Sequence, residues 1–98
     1  DKELLRWKDM AGSQILDSLK TSLSFVEKIN AGDFNAKNLE RILMPEAGKR
    51  GDRGALLWPL RVALSGKRAS AGPFEIMEIL GKEKTLKRIK EAISEITS

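Results

Sequence analysis

The segment "WPLRVALSGKRASAGPF", from Trp58 to Phe74, places a guanidinium inside an apolar run and follows it with a cationic loop. On a helical wheel Arg61 lies beside Leu57 and Leu64. Its stem can therefore pack while its planar five-donor head is aimed outward. Lys67 and Arg68 can neutralise phosphates. Ser70 is a small donor and acceptor, Gly72 lets another chain approach closely, and Phe74 offers a ring. Single-stranded RNA is held by such groups. Unpaired bases stack on rings and guanidinium planes, and their edges hydrogen-bond to polar groups. The same residues have structural readings. Phe74 shares an apolar face with Met77, and Trp58 beside Leu57 and Pro59 suits a core. Arg61 can pair with a carboxylate inside the fold. Spacing alone leaves these alternatives open.

The charge distribution points to the same stretch. The chain of 98 residues carries a formal charge of +4. Between residues 49 and 68, Lys49, Arg50, Arg53, Arg61, Lys67 and Arg68 face Asp52 alone, so this stretch holds the whole surplus. Local positive charge of this kind favours a polyanion such as RNA, DNA or an anionic membrane surface. A second basic group, Lys82, Lys84, Lys87, Arg88 and Lys90, is interleaved with Glu83 and Glu91 and reads as a solvated helix face.

Much chemistry is excluded. With neither cysteine nor histidine, the chain has no disulfide, no thiolate or imidazole metal site and no histidine base. Absence of cysteine is compatible with a reducing cytosol. "GKEKT" looks like a piece of a phosphate loop but lacks the preceding strand and the glycine spacing. The carboxylates are scattered along helix faces, and no catalytic constellation stands out. No apolar run approaches a membrane span, and no signal peptide is visible. The chain opens on Asp1, which suggests an excised or processed piece of a longer protein.

The elements that must position Arg61 and the loop read as helices. Residues 1–12 form a lead-in with Leu4, Leu5 and Trp7 among charges. From Ser13, a candidate cap, Ile15, Leu16, Leu19, Leu23, Val26 and Ile29 recur at helical steps, and "NAGD" ends the run. Asn35 caps a second helix, with Phe34 and Leu39 as a hydrophobic staple, and Pro45 stops or kinks it. "PEAGKRGDRGA" is a glycine-rich charged connection. Pro59 suits the first position of a third helix, which Gly66 ends. Pro73 opens a fourth that Gly81 closes. A fifth runs from about Glu83 to Ile96, where Glu83 and Lys87 have ion-pair spacing. The expectation is an all-α bundle of about five helices, without strands, in one domain.

At these residues the sequence resembles a known family. "LLWPLRVALSGKRASAGPFEIMEILGKEKTLKRI" is similar to the C-terminal part of bacterial glutamyl-tRNA synthetase, a class I aminoacyl-tRNA synthetase. "GDFNAKNLERIL" resembles that family's upstream helix start, and "ELLRWKDM" its link from the preceding helical domain. The resemblance implies an all-α anticodon-binding domain over residues 13–98, with residues 1–12 as the lead-in. It implies that Arg61, with Ser70, Ala71, Gly72, Pro73 and Phe74, contacts anticodon bases. Relatives often have proline at position 71 and an aliphatic residue at 73. Lys49, Arg50, Arg53, Lys67 and Arg68 are then expected to hold phosphates, and Trp58 is assigned to packing. The implied partner is tRNA-Glu, with no DNA and no membrane. The implied protein is cytoplasmic, and this segment is a monomer with no catalytic site and no cofactor of its own. ATP and magnesium would serve the upstream catalytic domain that attaches glutamate to tRNA. A helical protein-interaction module with only nonspecific RNA affinity is the alternative.

Overall fold

The computed structural model describes residues 2–66 and 71–97. After a 3-10 turn at Lys2–Leu5 come four helices: α1 (Gly12–Glu27), α2 (Ala36–Lys49), α3 (Gly54–Ser65) and α4 (Pro73–Thr97). Among the described residues there is no strand. Gly81 interrupts α4 with φ 83° and ψ 168°, a conformation open essentially to glycine alone. Two helical rods therefore run either side of it, and the bundle has five rods, as the sequence suggests.

The helix starts follow local chemistry. At α2 the Asn35 side chain accepts the N–H of Asn38 at 3.0 Å, the cap expected there. The Ala36 N–H, also unpaired within its helix, donates to Glu78 of α4 at 2.6 Å. That places a carboxylate at a helix N-terminus, where the dipole favours it. Ser13 does not cap α1. The helix begins earlier, at Gly12, because Gln14 reaches back to accept the N–H of Ala11 at 2.7 Å.

Two prolines behave differently from the local rule. Pro45 neither stops α2 nor opens the connection; the helix continues to Lys49. Pro45 lies on the exposed side, where water can satisfy the Arg41 carbonyl that has lost its donor, while Leu39, Leu43 and Ala47 stay buried on the other side. Pro59 is not the first residue of α3 but its sixth. The helix starts at Gly54 because Asp52 caps it, its Oδ1 accepting the Gly54 N–H at 3.0 Å. Gly66 ends α3 in the left-handed conformation, φ 72°, as its sequence position predicts.

One apolar cluster holds the rods together. Leu19, Val26, Leu39, Leu43, Leu60, Leu64, Met77 and Ile89 belong to it, with Val62 almost as deep. Each fully buried side chain of this size contributes roughly 1.5–3 kcal/mol relative to exposure. Phe34 and Leu39, the expected staple pair, are both in this cluster. α4 packs against α1, α2 and α3, and α3 packs against α1 and the first turn. Leu5 and Met10 of the lead-in also reach the cluster.

The second basic group is partly structural. Lys82 donates to the Glu27 carbonyl at the end of α1, at 3.0 Å. Arg88 donates to the Leu64 carbonyl at the end of α3, at 2.6 Å. Both place a cation at a helix C-terminus, where orphan carbonyls need donors. Glu83 and Lys87 do not form the ion pair their spacing allows; no ion pair joins them among the described residues.

Candidate nucleic-acid interface

Asp52 organises one end of α3. Its Oδ1 caps Gly54, and its Oδ2 accepts the indole N–H of Trp7 at 3.0 Å and the Lys8 ammonium at 2.9 Å. The hydrogen bond from Lys8, then that from Trp7, hold its carboxyl below the usual carboxylate range, helped by the Gly54 amide and opposed by partial desolvation. The lead-in is thereby tied to a residue 45 positions away. Lys8 turns the chain with φ 54°, unusual for a residue with a side chain. Its ammonium also lies 5.4 Å from the centre of the Trp7 ring, within cation–π range.

Trp58 holds the lead-in from the other side. Its N–H donates to the Leu4 carbonyl at 2.8 Å. The two indoles meet with ring centroids 5.6 Å apart and planes tilted by 40°. This is a favourable aromatic contact. Gly54 makes it possible, because a Cβ there would overlap the Trp7 ring.

Between these groups lies a cleft of about 390 Å³, lined by Trp7, Gly54, Leu57, Trp58, Arg61 and Pro73. Leu57 and Trp58 precede Arg61 by one turn of α3, so all three project from neighbouring positions. Pro73, at the start of α4, brings the end of the loop to the same cleft. Its lining is apolar save for the one guanidinium and the indole nitrogens, whose protons are already donated elsewhere.

The sequence-expected site residues fall into separate places. Arg61 and Pro73 meet at the cleft. Ala71 is exposed and Gly72 half-buried, just before Pro73. Phe74, by contrast, is only 8% exposed and belongs to the apolar cluster with Met77. Lys67, Arg68 and Ser70 lie outside the described residues. Arg53 is exposed, directly before Gly54, and its side chain makes no hydrogen bond or ion pair among the described residues. Lys49 is exposed, with Glu46 at 3.9 Å.

Arg50 is committed internally. It donates to Asp17 at 3.2 Å and Thr21 at 2.9 Å, both on α1, and Glu46 lies 4.0 Å away. Its guanidinium fastens the end of α2 to α1 and does not stand open to a phosphate.

Trp7 is the cleft residue that sequence reasoning missed, since it reads as part of a lead-in. Trp58 packs, as expected, yet it also lines the cleft. No local signal marks Trp7, because its partners Asp52, Gly54 and Trp58 are all remote in sequence.

Among the described residues, no cluster of acidic side chains could hold a metal ion, and no helix is long and apolar enough to cross a membrane. No solved structure matches the chain.

Known sequences do. Over 83 residues the chain is 42% identical to the glutamate–tRNA ligase of Clostridium acetobutylicum, covering 83% of this chain and 17% of that protein. The glutamate–tRNA ligase of Clostridium tetani is 42% identical over 84 residues, with the same coverage. That of Anaeromyxobacter is 34% identical over 80 residues, covering 81% of this chain and 16% of the ligase. The chain thus spans about one sixth of the length of these relatives. The description of the Anticodon binding domain family matches residues 1–93, nearly the whole chain. A helical bundle with an arginine and two indoles around one cleft, matched over residues 1–93 in this way, belongs to the anticodon-binding domain family.

Proposed function

We propose that this chain is the anticodon-binding part of a glutamate–tRNA ligase and that it reads the anticodon of tRNA-Glu at the cleft beside Arg61. One observation carries the assignment of the site. The fold brings Arg61 of α3 and Pro73 of α4, the two ends of the cationic segment, to one cleft walled by aromatic rings. A guanidinium beside rings is the equipment for an unpaired base. The ring faces accept stacking, and the fork of donors reads an edge.

The residues divide by task. Arg61 hydrogen-bonds the base edge. Ser70, Ala71, Gly72 and Pro73 contact the base as well, while Phe74 supports Pro73 from the core. Lys49, Arg53, Lys67 and Arg68 neutralise phosphates, and Arg50 keeps α2 on α1. Recognition here would license aminoacylation elsewhere. The ATP and magnesium of such a ligase belong to its catalytic domain, and the cytoplasm, where translation takes place, is the proposed compartment. The segment acts as a monomer.

The test is a titration of the 98-residue chain with the anticodon stem-loop of tRNA-Glu and with a copy altered at the last anticodon base. The native loop is expected to bind more tightly. Arg61→Ala, with its helical circular dichroism unchanged, is expected to cost about 1–3 kcal/mol and to erase the preference. Equal affinity for the two loops would make the chain a helical module with sequence-independent RNA affinity.

A further inference from the structure

We infer that Trp7, from the segment leading into the bundle, is itself a base-contacting wall of the cleft. The inference rests on the RNA-reading role proposed for Arg61 and extends it to a residue outside the segment that suggested that role.

Three observations converge. First, Trp7 lines the same cleft as Arg61, Trp58 and Pro73, and the cleft's volume of about 390 Å³ is within the range of ligand-binding pockets. Second, the ring is fixed rather than loosely placed. Asp52 takes its N–H, Trp58 lies against it at 5.6 Å, and Gly54 leaves it the room a Cβ would fill. An aromatic ring already held in position loses little freedom when a ligand stacks on it. Third, the indole N–H is spent on Asp52 and that of Trp58 on Leu4. What these residues offer a ligand is the ring itself, which every base can stack on.

This divides affinity from specificity within one cleft. Trp7 supplies stacking that tolerates any base, while Arg61 supplies the discrimination. Replacing Trp7 should weaken all RNAs alike, whereas replacing Arg61 should weaken the native anticodon most.

The chain contains two tryptophans, so Trp58→Phe leaves Trp7 as the only one and keeps a ring at position 58. Titrating this variant with the anticodon stem-loop is expected to quench and shift the Trp7 emission along the binding curve. Trp7→Leu, which retains apolar bulk without the ring, is expected to lower affinity for native and altered loops by a similar factor, roughly 5- to 100-fold. Suppose RNA binds and Arg61→Ala still abolishes the preference. Unmoved Trp7 emission, with Trp7→Leu binding as tightly as the parent chain, then overturns this inference and leaves the role of Arg61 standing. Failure of any RNA to bind the parent chain removes both.

Discussion

At the scale of single residues, Asp52 gathers Lys8, Trp7 and the Gly54 amide on one carboxylate. Its three donors favour the carboxylate in the folded chain, so its pKa falls below the value it takes when unfolded. The consequence has a definite sign. The contribution of Asp52 to stability is complete above its unfolded pKa, and it is lost as pH falls through the lowered folded value. Thermal unfolding followed by circular dichroism should therefore show a decline on acidification below about pH 4 that Asp52→Asn lacks in part. The variant should also start lower at neutral pH, since a neutral amide cannot hold Lys8 by charge. A parallel acid decline in both chains would show that other carboxylates dominate. None of this is legible in the sequence. "GDRG" reads as a charged turn, and nothing in it signals that its aspartate grips a tryptophan near the start of the chain.

At the scale of elements, the sequence is most legible where backbone geometry is decided within a few residues. Asn35, Gly66, Pro73 and Gly81 each mark a boundary that the structure shows, because caps and positive φ angles depend on nearest neighbours. Pro45 and Pro59 mislead for the complementary reason. A proline removes one hydrogen bond, but the buried residues before and after it keep the helix together. Pro59 is itself buried within α3 and forms part of that packing. Gly81 carries the sharpest prediction at this scale. Its φ of 83° with ψ of 168° lies where a side chain is strained, although the space around it is open. Gly81→Ala should therefore destabilise the domain by about 1–3 kcal/mol through the backbone alone, visible in urea unfolding. A neutral substitution would mean that the two rods of α4 can merge or reorient without loss. That outcome is opposed by Glu78 and Lys82, which sit on either side of the break and cap α2 and α1.

At the scale of the whole molecule, the sequence locates the positive surplus but not its use, since a cation's availability depends on what the fold sets beside it. Arg50 and Arg53 are three residues apart and look equivalent in the sequence. The fold separates them. Arg50 is held by α1 and by Glu46, whereas Arg53 stands exposed at the cleft end of α3. Lys82 and Arg88 are likewise drawn from a basic helix face into capping other helices. RNA affinity should register this distinction through its salt dependence. Each phosphate contact adds about 0.7–0.9 to the slope of log affinity against log salt, because neutralising a phosphate releases condensed counterions. Arg53→Ala should therefore flatten the slope by about that amount while leaving the fold's stability nearly unchanged. Arg50→Ala should do the reverse. It leaves the slope in place and lowers the unfolding midpoint modestly, since bonds at a partly exposed site contribute about 1 kcal/mol or less. Binding curves taken at several salt concentrations, alongside thermal unfolding of the same two variants, separate the roles. If Arg50→Ala flattens the slope as much as Arg53→Ala does, the guanidinium must leave Asp17 and Thr21 when RNA arrives, and α2 would then move on binding.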